Sequence, residues 1–328
     1  MPRSILFVAH SPNFAGAEYS LLRLIRGLSP AQWSPRILAP AGGRFEQEVR
    51  ALNLPFHDFE PARPHRFKTD GRVGLADALS RCLLNVDRYF EKIPPPDIIH
   101  SNTFHVWEGA LLAARWKVPH VWNLREILRD SPTWEPYVDY KALCQVMARL
   151  SDSLICVSQA LADSLPAVDT PVEVVHNGLD SRELASRRES REFFKKNFGI
   201  SDDEKVFLTV GNFIPDKGHA AILPYLANFL QQVPNARFLW PGSHHFCYAD
   251  IRSKLDAMGL AERVLTPGHI DDFGRWMAGA DLYLLLSETE AFPTVVLEAL
   301  RAGVPTLARD CGGVREILET CGGKLVPR

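Results

Sequence analysis

Ala280–Ala308 reads ADLYLLLSETEAFPTVVLEALRAGVPTLA. The apolar run Leu282–Leu286 has the length of a buried strand and is too short for a helix. Four polar or charged residues follow, then the turn Ala291-Phe292-Pro293. Pro293 suits a first helical position, so a helix is predicted from about Thr294, with an amphipathic stretch over Val295–Ala302. Gly303 and Pro305 break that pattern before a second apolar run, Thr306–Ala308. Strand, helix and strand in so few residues form a βαβ unit, which requires a parallel sheet.

The same alternation runs outward in both directions. Further strands are expected at Ile5–Ala9, Arg36–Ala39, Asp97–His100, His120–Leu124, Ser153–Val157 and Val172–Val175. Others fall at Val206–Val210, Arg237–Trp240, Val264–Thr266 and Lys324–Val326. Most are continuous apolar runs, as in central strands covered on both faces. Helical periodicity lies between them. In Glu18–Leu28, the residues Leu21, Leu22, Leu24, Ile25 and Leu28 are placed on one face, and His219–Leu230 reads the same way. The fold class is therefore α/β with doubly wound parallel sheets.

A chain of 328 residues suggests two domains. The alternation halts once, after His176-Asn177-Gly178-Leu179-Asp180. The charged stretch SRELASRRESREFFKKNFGI follows, and strands restart at KVFLTVGNF (205–213). Domains of 1–180 and 181–328 are expected, with a hinge near Gly178–Asp180 and the charged stretch as a solvated helix. Pro61–Gly74 (PARPHRFKTDGRVG) is basic, aperiodic and read as a solvated surface loop, with contact to an anionic acceptor or a lipid head group as the alternative. Arg125–Pro136 is read as a long connection and a cleft wall.

Composition excludes several classes. At 46% hydrophobic and 23% charged, the chain can bury real cores. With 37 basic and 39 acidic residues, no global basic field exists to hold a nucleic acid. No apolar run reaches the roughly 20 residues of a spanning helix. MPRSILFVAHSP reads as a first strand and not as a leader, so a cytoplasmic protein is expected, peripheral at the inner membrane face. The cysteines at 82, 144, 156, 247, 311 and 321 form no C-x-x-C, and the adjacent His244-His245 pair is not read as a metal site, so metal ligands are read as none. G-x-G-x-x-G is missing, which removes the main support for a dinucleotide oxidoreductase.

Ligands of parallel α/β sheets sit at the carboxyl ends of strands, and four such ends stand out. NFAGAEYS puts Gly16 at the opening of a helix whose positive end favours phosphate. VGNFIPDKGH puts Lys217 on a turn before a helix, where its ammonium could neutralise a diphosphate; a surface lysine is the plain alternative. SETEAFPTVVLEAL puts Glu290 at a helix mouth and Glu298 about a turn inside, beside the free amides of Thr294 and Val295. One carboxylate can hold a ribose diol and the other sugar hydroxyls. VWNLREI places Arg125 and Glu126 abruptly after an apolar run, which is also common at ordinary strand ends.

Taken together, FAGAE, DIIHSNT, SLICVSQAL, VVHNGLD, VGNFIPDKGH, ADLYLLLSETEAFPTVVLEALRAGVPTLA and CGGVREIL resemble glycosyltransferase family 4. The likeness covers nearly the whole chain and is densest from Val206 to Leu318. It implies a GT-B fold of two Rossmann-like domains facing across a cleft, the first binding an acceptor and the second a nucleotide-sugar donor. It also implies retaining transfer to a glycan, lipid-linked or small-molecule hydroxyl without an essential metal or other cofactor. By resemblance, Lys217 neutralises the diphosphate, Glu290 touches the donor sugar and Glu298 binds the ribose. Phe292, Pro293, Thr294 and Val295 line phosphate or sugar. Gly268, His269 and Ile270 line the nucleobase, and Gly16 lies against the diphosphate.

Three departures qualify the likeness. Asn212 stands where the family often has arginine, which leaves Lys217, backbone amides and Arg125 to stabilise the leaving group. Arg125 and Glu126 stand where it often has a histidine-aspartate pair, so a histidine contact is not carried over to them. Related chains continue beyond Lys324–Val326 with helices, so the sequence ending at Arg328 is expected to be a fragment. The rival readings are a non-catalytic scaffold or binding protein of the same fold and a nucleotide-sugar epimerase or hydrolase.

Overall fold

The structure is a computed structural model that describes residues 1–62, 65–67, 74–129, 131, 133–179 and 184–327, with 65–67 described by backbone alone. The chain divides into two compact units, Met1–Gly178 and Leu179–Arg328.

The strands of unit 1 are β1 (Arg3–Val8), β2 (Trp33–Ala39), β3 (Phe56–Asp58), β4 (His65–Phe67), β5 (Ile98–Asn102), β6 (His120–Leu124), β7 (Trp134–Pro136), β8 (Ser153–Cys156) and β9 (Val172–Val174). Its helices are α1 (Gly16–Gly27), α2 (Arg44–Ala51), α3 (Leu75–Lys92), α4 (Glu108–Trp116), α5 (Tyr140–Arg149) and α6 (Gln159–Ser164). Seven strands make one parallel sheet in the order β3-β2-β1-β5-β6-β8-β9. β1 shows why it is covered on both faces. Ile5 and Phe7 pack with Leu21, Leu22 and Ile25 of α1 and Phe45 and Val49 of α2. Leu6 and Val8 point the other way, to Val86 and Tyr89 of α3 and Leu112 of α4. A period of two on a strand with helices on each side demands this apolar run.

Unit 2 carries β10 (Lys205–Leu208), β11 (Ala236–Pro241), β12 (Val264–Gly268), β13 (Leu282–Leu285), β14 (Thr306–Arg309) and β15 (Lys324–Val326). Its helices are α7 (Arg187–Phe198), α8 (His219–Gln232), α9 (Tyr248–Ala257), α10 (Thr294–Arg301) and α11 (Val314–Cys321). The parallel sheet runs β12-β11-β10-β13-β14-β15. Leu223, Leu226 and Leu230 of α8 and Ile251 and Leu255 of α9 cover one face over Phe238 and Trp240. Both sheets are doubly wound, and each reverses direction once, between β1 and β5 and between β10 and β13.

Several expectations are corrected. The loop at Pro61–Gly74 contains β4, and the connection at Arg125–Pro136 contains β7. The two pair antiparallel, with His65 opposite Pro136 and Phe67 opposite Trp134. Both are three residues long and lack an apolar run, as does β3, so periodicity misses them. The rest of Pro61–Gly74 from 63 to 73, together with 130, 132 and the hinge residue Asp180, lies outside the described residues. Leu24 is 40% exposed, because it sits about 100° from the centre of the buried stripe of Leu21, Leu22 and Ile25. Pro293 is the N-cap of α10 and not its first helical residue.

The charged stretch is also more than a solvated helix. α7 opens with a capping box between Ser186 and Glu189 and ends at Gly199, whose φ is 67°. Phe193 stacks on Trp276 at 4.2 Å, and Phe194 is fully buried. A Cβ on Gly279 would lie 2.6 Å from the Phe194 ring, so a glycine lets the helix dock there. Arg187 and Arg191 both bind the Asp281 carboxylate.

Candidate functional site

In unit 2 the carboxyl ends of β10, β11 and β13 pack backbone against backbone. A Cβ on Gly242 would lie 1.9 Å from the Gly211 carbonyl oxygen, and one on Gly218 would lie 2.0 Å from that of Leu286. Gly218 also has φ 68°, a left-handed conformation that glycine adopts at little cost. It follows a short 3₁₀ turn, Pro215–Lys217, and brings Lys217 over the end of β13.

There the Lys217 ammonium donates to Glu290 Oε1 at 2.5 Å. The same oxygen accepts from the Ser287 hydroxyl at 2.7 Å. The Lys217 stem runs past Gly211, where a Cβ would touch its Cγ and Cδ at 3.4 Å. The lysine side chain is 28% exposed and that of Glu290 12%. Burial alone would pull the Lys217 pKa down, but the Glu290 carboxylate, helped by Asp216, outweighs it and holds the pKa above its ordinary value. The ammonium is therefore charged and aimed. One N–H goes to Glu290, which leaves two for a ligand.

Pro293 caps α10 without a side-chain hydrogen bond. The amides of Thr294 and Val295 open the helix, where no intrahelical acceptor exists for them. Glu298 lies one turn further in. A Cβ on Gly274 would sit 2.8 Å from its Oε2, so that glycine gives the carboxylate its space. Glu290 and Glu298 both act on the buried Tyr283 hydroxyl, whose pKa is pushed up first by burial and then by these two charges. Phe292 is 9% exposed, which turns most of its ring away from solvent.

The other expected donor residues collect at the adjoining strand ends. Gly268 ends β12 with φ 86°, and its carbonyl accepts from Gly242 N at 2.9 Å. His269 pairs with Asp271 at 3.2 Å, and Ile270 is half-buried. Asn212 Oδ1 accepts from Ser243 N at 3.0 Å, so this side chain ties two loops together in place of an arginine's charge. Sequence reasoning missed Ser287 and Gly274. It also missed His244, which stacks on Tyr248 at 3.4 Å beside Gly268. Among the described residues, no group of three His, Cys, Asp or Glu side chains is placed to hold a metal ion.

Unit 1 holds Gly16 and Arg125. Gly16 is the first residue of α1, and a Cβ there would meet nothing within 4 Å. Arg125 follows β6. Its Nε donates to Asn102 Oδ1 at 2.8 Å and its Nη1 to Asn177 Oδ1 at 2.7 Å. Around it lie groups the sequence reading did not connect. Glu18, in the first turn of α1, is 1% exposed, and His10 Nδ1 approaches its Oε1 at 3.3 Å. His105 Nε2 lies 3.9 Å from Glu126 Oε1, and the two imidazoles stack at 4.5 Å. Burial pushes the Glu18 carboxyl up to about 8 and that of Glu126 up to about 7, in both cases against the pull of Arg125. Burial also pulls the Arg125 guanidinium down to about 10, despite the Glu126 and Glu18 charges. Thr103 has φ 78°, which costs a β-branched residue of order 1–3 kcal/mol. It is held there by Trp122 Nε1 donating to its carbonyl at 2.7 Å and by its own amide on Asn123 O at 2.9 Å.

Two doubly wound parallel-sheet units, the second carrying Lys217, Glu290 and Glu298 around the mouth of α10, define an α/β protein of two Rossmann-like domains. Residues 14–183 match the family described as Glycosyltransferase Family 4, and 190–326 match Glycosyl transferases group 1. The chain belongs to glycosyltransferase family 4. It is 30% identical over 172 residues to N-acetyl-alpha-D-glucosaminyl L-malate synthase of Bacillus anthracis, covering 52% of this chain and 44% of that one. It is 27% identical over 291 residues to the putative teichuronic acid biosynthesis glycosyltransferase TuaC of Bacillus subtilis, covering 84% and 67%. The chain thus spans less than half the length of the first of these relatives and about two thirds of the second. Anabaena Alr3699/HepE, solved with UDP and glucose, superposes with a TM-score of 0.77 at 22% identity, over 99% of this chain and 86% of that one. No helix among the described residues is long and apolar enough to cross a membrane.

Proposed function

We propose that this protein transfers a sugar, with retention at the anomeric carbon, from a nucleoside diphosphate sugar held by unit 2 to a hydroxyl of a glycan, lipid-linked or small-molecule acceptor held by unit 1. The observation that carries the reading is the Lys217 ammonium fixed 2.5 Å from Glu290 at the mouth of α10. In the proposed step the bond between the anomeric carbon and the diphosphate oxygen breaks. The bond to the acceptor oxygen forms on the same face, and the acceptor proton passes to the departing phosphate oxygen. Charge develops on the diphosphate, where Lys217 and the Thr294 and Val295 amides stabilise it without reorganising. Glu290 keeps the ammonium aimed and meets the sugar, while Glu298 takes the ribose diol. Lysine in the charge-neutralising role supports a reaction without an essential metal. We place the reaction in the cytoplasm at a membrane face, which Pro61–Gly74 contacts.

The test is a thermal-shift titration with UDP-, GDP- and ADP-sugars, since a ligand of the folded state raises its apparent stability. Nucleoside diphosphate release is then followed with and without acceptor glycosides and with EDTA. A shift with one donor class and acceptor-dependent, EDTA-insensitive release with anomeric retention is expected. Release that ignores acceptor would favour an epimerase or hydrolase. A non-catalytic protein of the same fold is the second reading. Asn212 favours it, because its side-chain oxygen is engaged by Ser243 N and brings no positive charge to the site. Donor binding without release would establish it.

A further inference from the structure

Unit 1 ends on a weakly held strand. β9 is three residues long and lies at the sheet edge beside β8, with Val172, Glu173 and Val174 all exposed. Just beyond it, Val175 N donates to Cys156 O at 2.9 Å. From there to Gly178 no apolar side chain is buried. Val175, His176 and Gly178 are exposed, and Asn177 is half-buried. Hydrophobic burial therefore does not fix where the chain leaves unit 1.

Polar contacts do. Arg125 Nη1 donates to Asn177 Oδ1 at 2.7 Å, and Arg23 Nη1 points at the Gly178 carbonyl at 3.5 Å. Arg125 follows β6, and β8 lies between β6 and β9. The contact thus bridges two strand spacings, about 10 Å. On its other side, Arg125 Nε donates to Asn102 Oδ1 at 2.8 Å. Asn102 is fully buried at the end of β5, and its Nδ2 donates to the Ala17 carbonyl of α1 at 3.2 Å. A planar guanidinium fork can serve both asparagines in fixed directions, whereas an ammonium on a flexible stem cannot.

Unit 2 takes up the chain in a comparable way. The buried Ala185 donates its amide to the Arg275 carbonyl at 3.1 Å. Arg275 is the neighbour of Gly274, the glycine that gives the Glu298 carboxylate its space.

We infer that Arg125 is a positioning residue. Through Asn177 it fixes the point at which the chain leaves unit 1 for unit 2, in place of a contact with the leaving group. The inference rests on the reading above that unit 2 carries the donor and unit 1 the acceptor. Turnover then depends on a connection that starts from a fixed point.

The experiment uses the whole chain and follows hydrogen exchange at the Val175 amide without ligand. Arg125→Lys keeps the charge but not the fork. Asn177→Ala removes the acceptor, and Asn177→Asp keeps an acceptor oxygen. Exchange is expected to quicken about tenfold or more in the first two, the scale of losing one hydrogen bond to a charged group, and to stay near wild type in Asn177→Asp. The double variant of Arg125→Lys and Asn177→Ala should exchange no faster than either single one, because both remove the same contact. In the nucleoside diphosphate release assay, each single variant should lower kcat by about tenfold and keep the donor KM within about twofold, as when positioning is lost and donor binding is not. Asn177→Ala serves alone should Arg125→Lys not fold. Wild-type exchange or wild-type kcat in both single variants, additive effects in the double one, or a donor KM raised by Arg125→Lys alone would overturn the inference. If no nucleotide sugar is turned over by the wild type, the transfer reading fails by itself, and the exchange rates and their double-variant comparison still decide whether Arg125 is the anchor.

Discussion

The two sheets reverse strand order in the same way and put opposite chemistry at the reversal. In unit 2 a charged ammonium is held near the surface by one carboxylate, with helix amides beside it. In unit 1 the buried Glu18 and the part-buried Glu126 flank a guanidinium that gives two of its five donors to Asn102 and Asn177. The difference teaches that the doubly wound scaffold fixes where a ligand binds, while a few side chains on the strand-end loops decide which ligand.

The largest effect that would sharpen this comparison is expected from Lys217→Ala. Turnover should fall by about 10²-fold or more, as when a preorganised electrostatic donor is lost. The melting temperature should change little, because the side chain is part-exposed and its partner Glu290 keeps the Ser287 hydroxyl. Turnover close to wild type would remove unit 2's claim to the leaving group.

Next come two glycines. Gly218→Ala should destabilise unit 2 by roughly 2 kcal/mol or more, from the left-handed backbone and from a Cβ driven onto the Leu286 carbonyl. Gly16→Ala should leave urea stability within about 1 kcal/mol, since nothing lies within 4 Å of the new Cβ. Loss of activity in that stable variant would show a ligand approaching the α1 backbone. Equal stability losses in the two variants would break the distinction between a packing glycine and an open one.

A smaller effect reads the buried carboxyl of unit 1 by pH. The folded protein keeps the Glu18 proton up to about pH 8, whereas the unfolded chain releases it near 4.5. The folded state therefore binds more protons in between, and its stability falls as pH rises through that range. Burial pulls His100 down to about 3 and His120 to about 4, so they lose stability as pH falls below about 6.5. The carboxyl effect stands apart from these between pH 6.5 and 8. Urea midpoints there should decline with pH in the wild type and decline less in Glu18→Gln. Identical slopes would contradict the buried-carboxyl description.

Much of this was legible in the chain because of how parallel sheets bury strands. Leu6, Phe7 and Val8 face helices on both sides, so β1 shows as a solid apolar run, and so do β10 and β13. The strands β4 and β7 were not legible, because three-residue pairs carry no such run. The unit 2 site was readable because Lys217, Glu290 and Glu298 lie in short strand–turn–helix segments. The Lys217–Glu290 contact itself was not, since 73 residues separate the partners and only the sheet order brings β10 beside β13. Unit 1 was harder still. Arg125 and Glu126 were visible as a charged pair, but His10 and Glu18 join them from the end of β1 and His105 from the end of β5. A glutamate in the first turn of a helix reads as an ordinary dipole-favoured residue until its burial is seen.

The central claim is most directly tested by a crystal structure of the whole chain with UDP or the nucleoside diphosphate that the thermal shift selects. The account predicts a diphosphate oxygen within hydrogen-bond distance of Lys217 Nζ, and ribose hydroxyls on the Glu298 carboxylate. A nucleotide bound elsewhere, with the Lys217–Glu290 pair untouched, would contradict it.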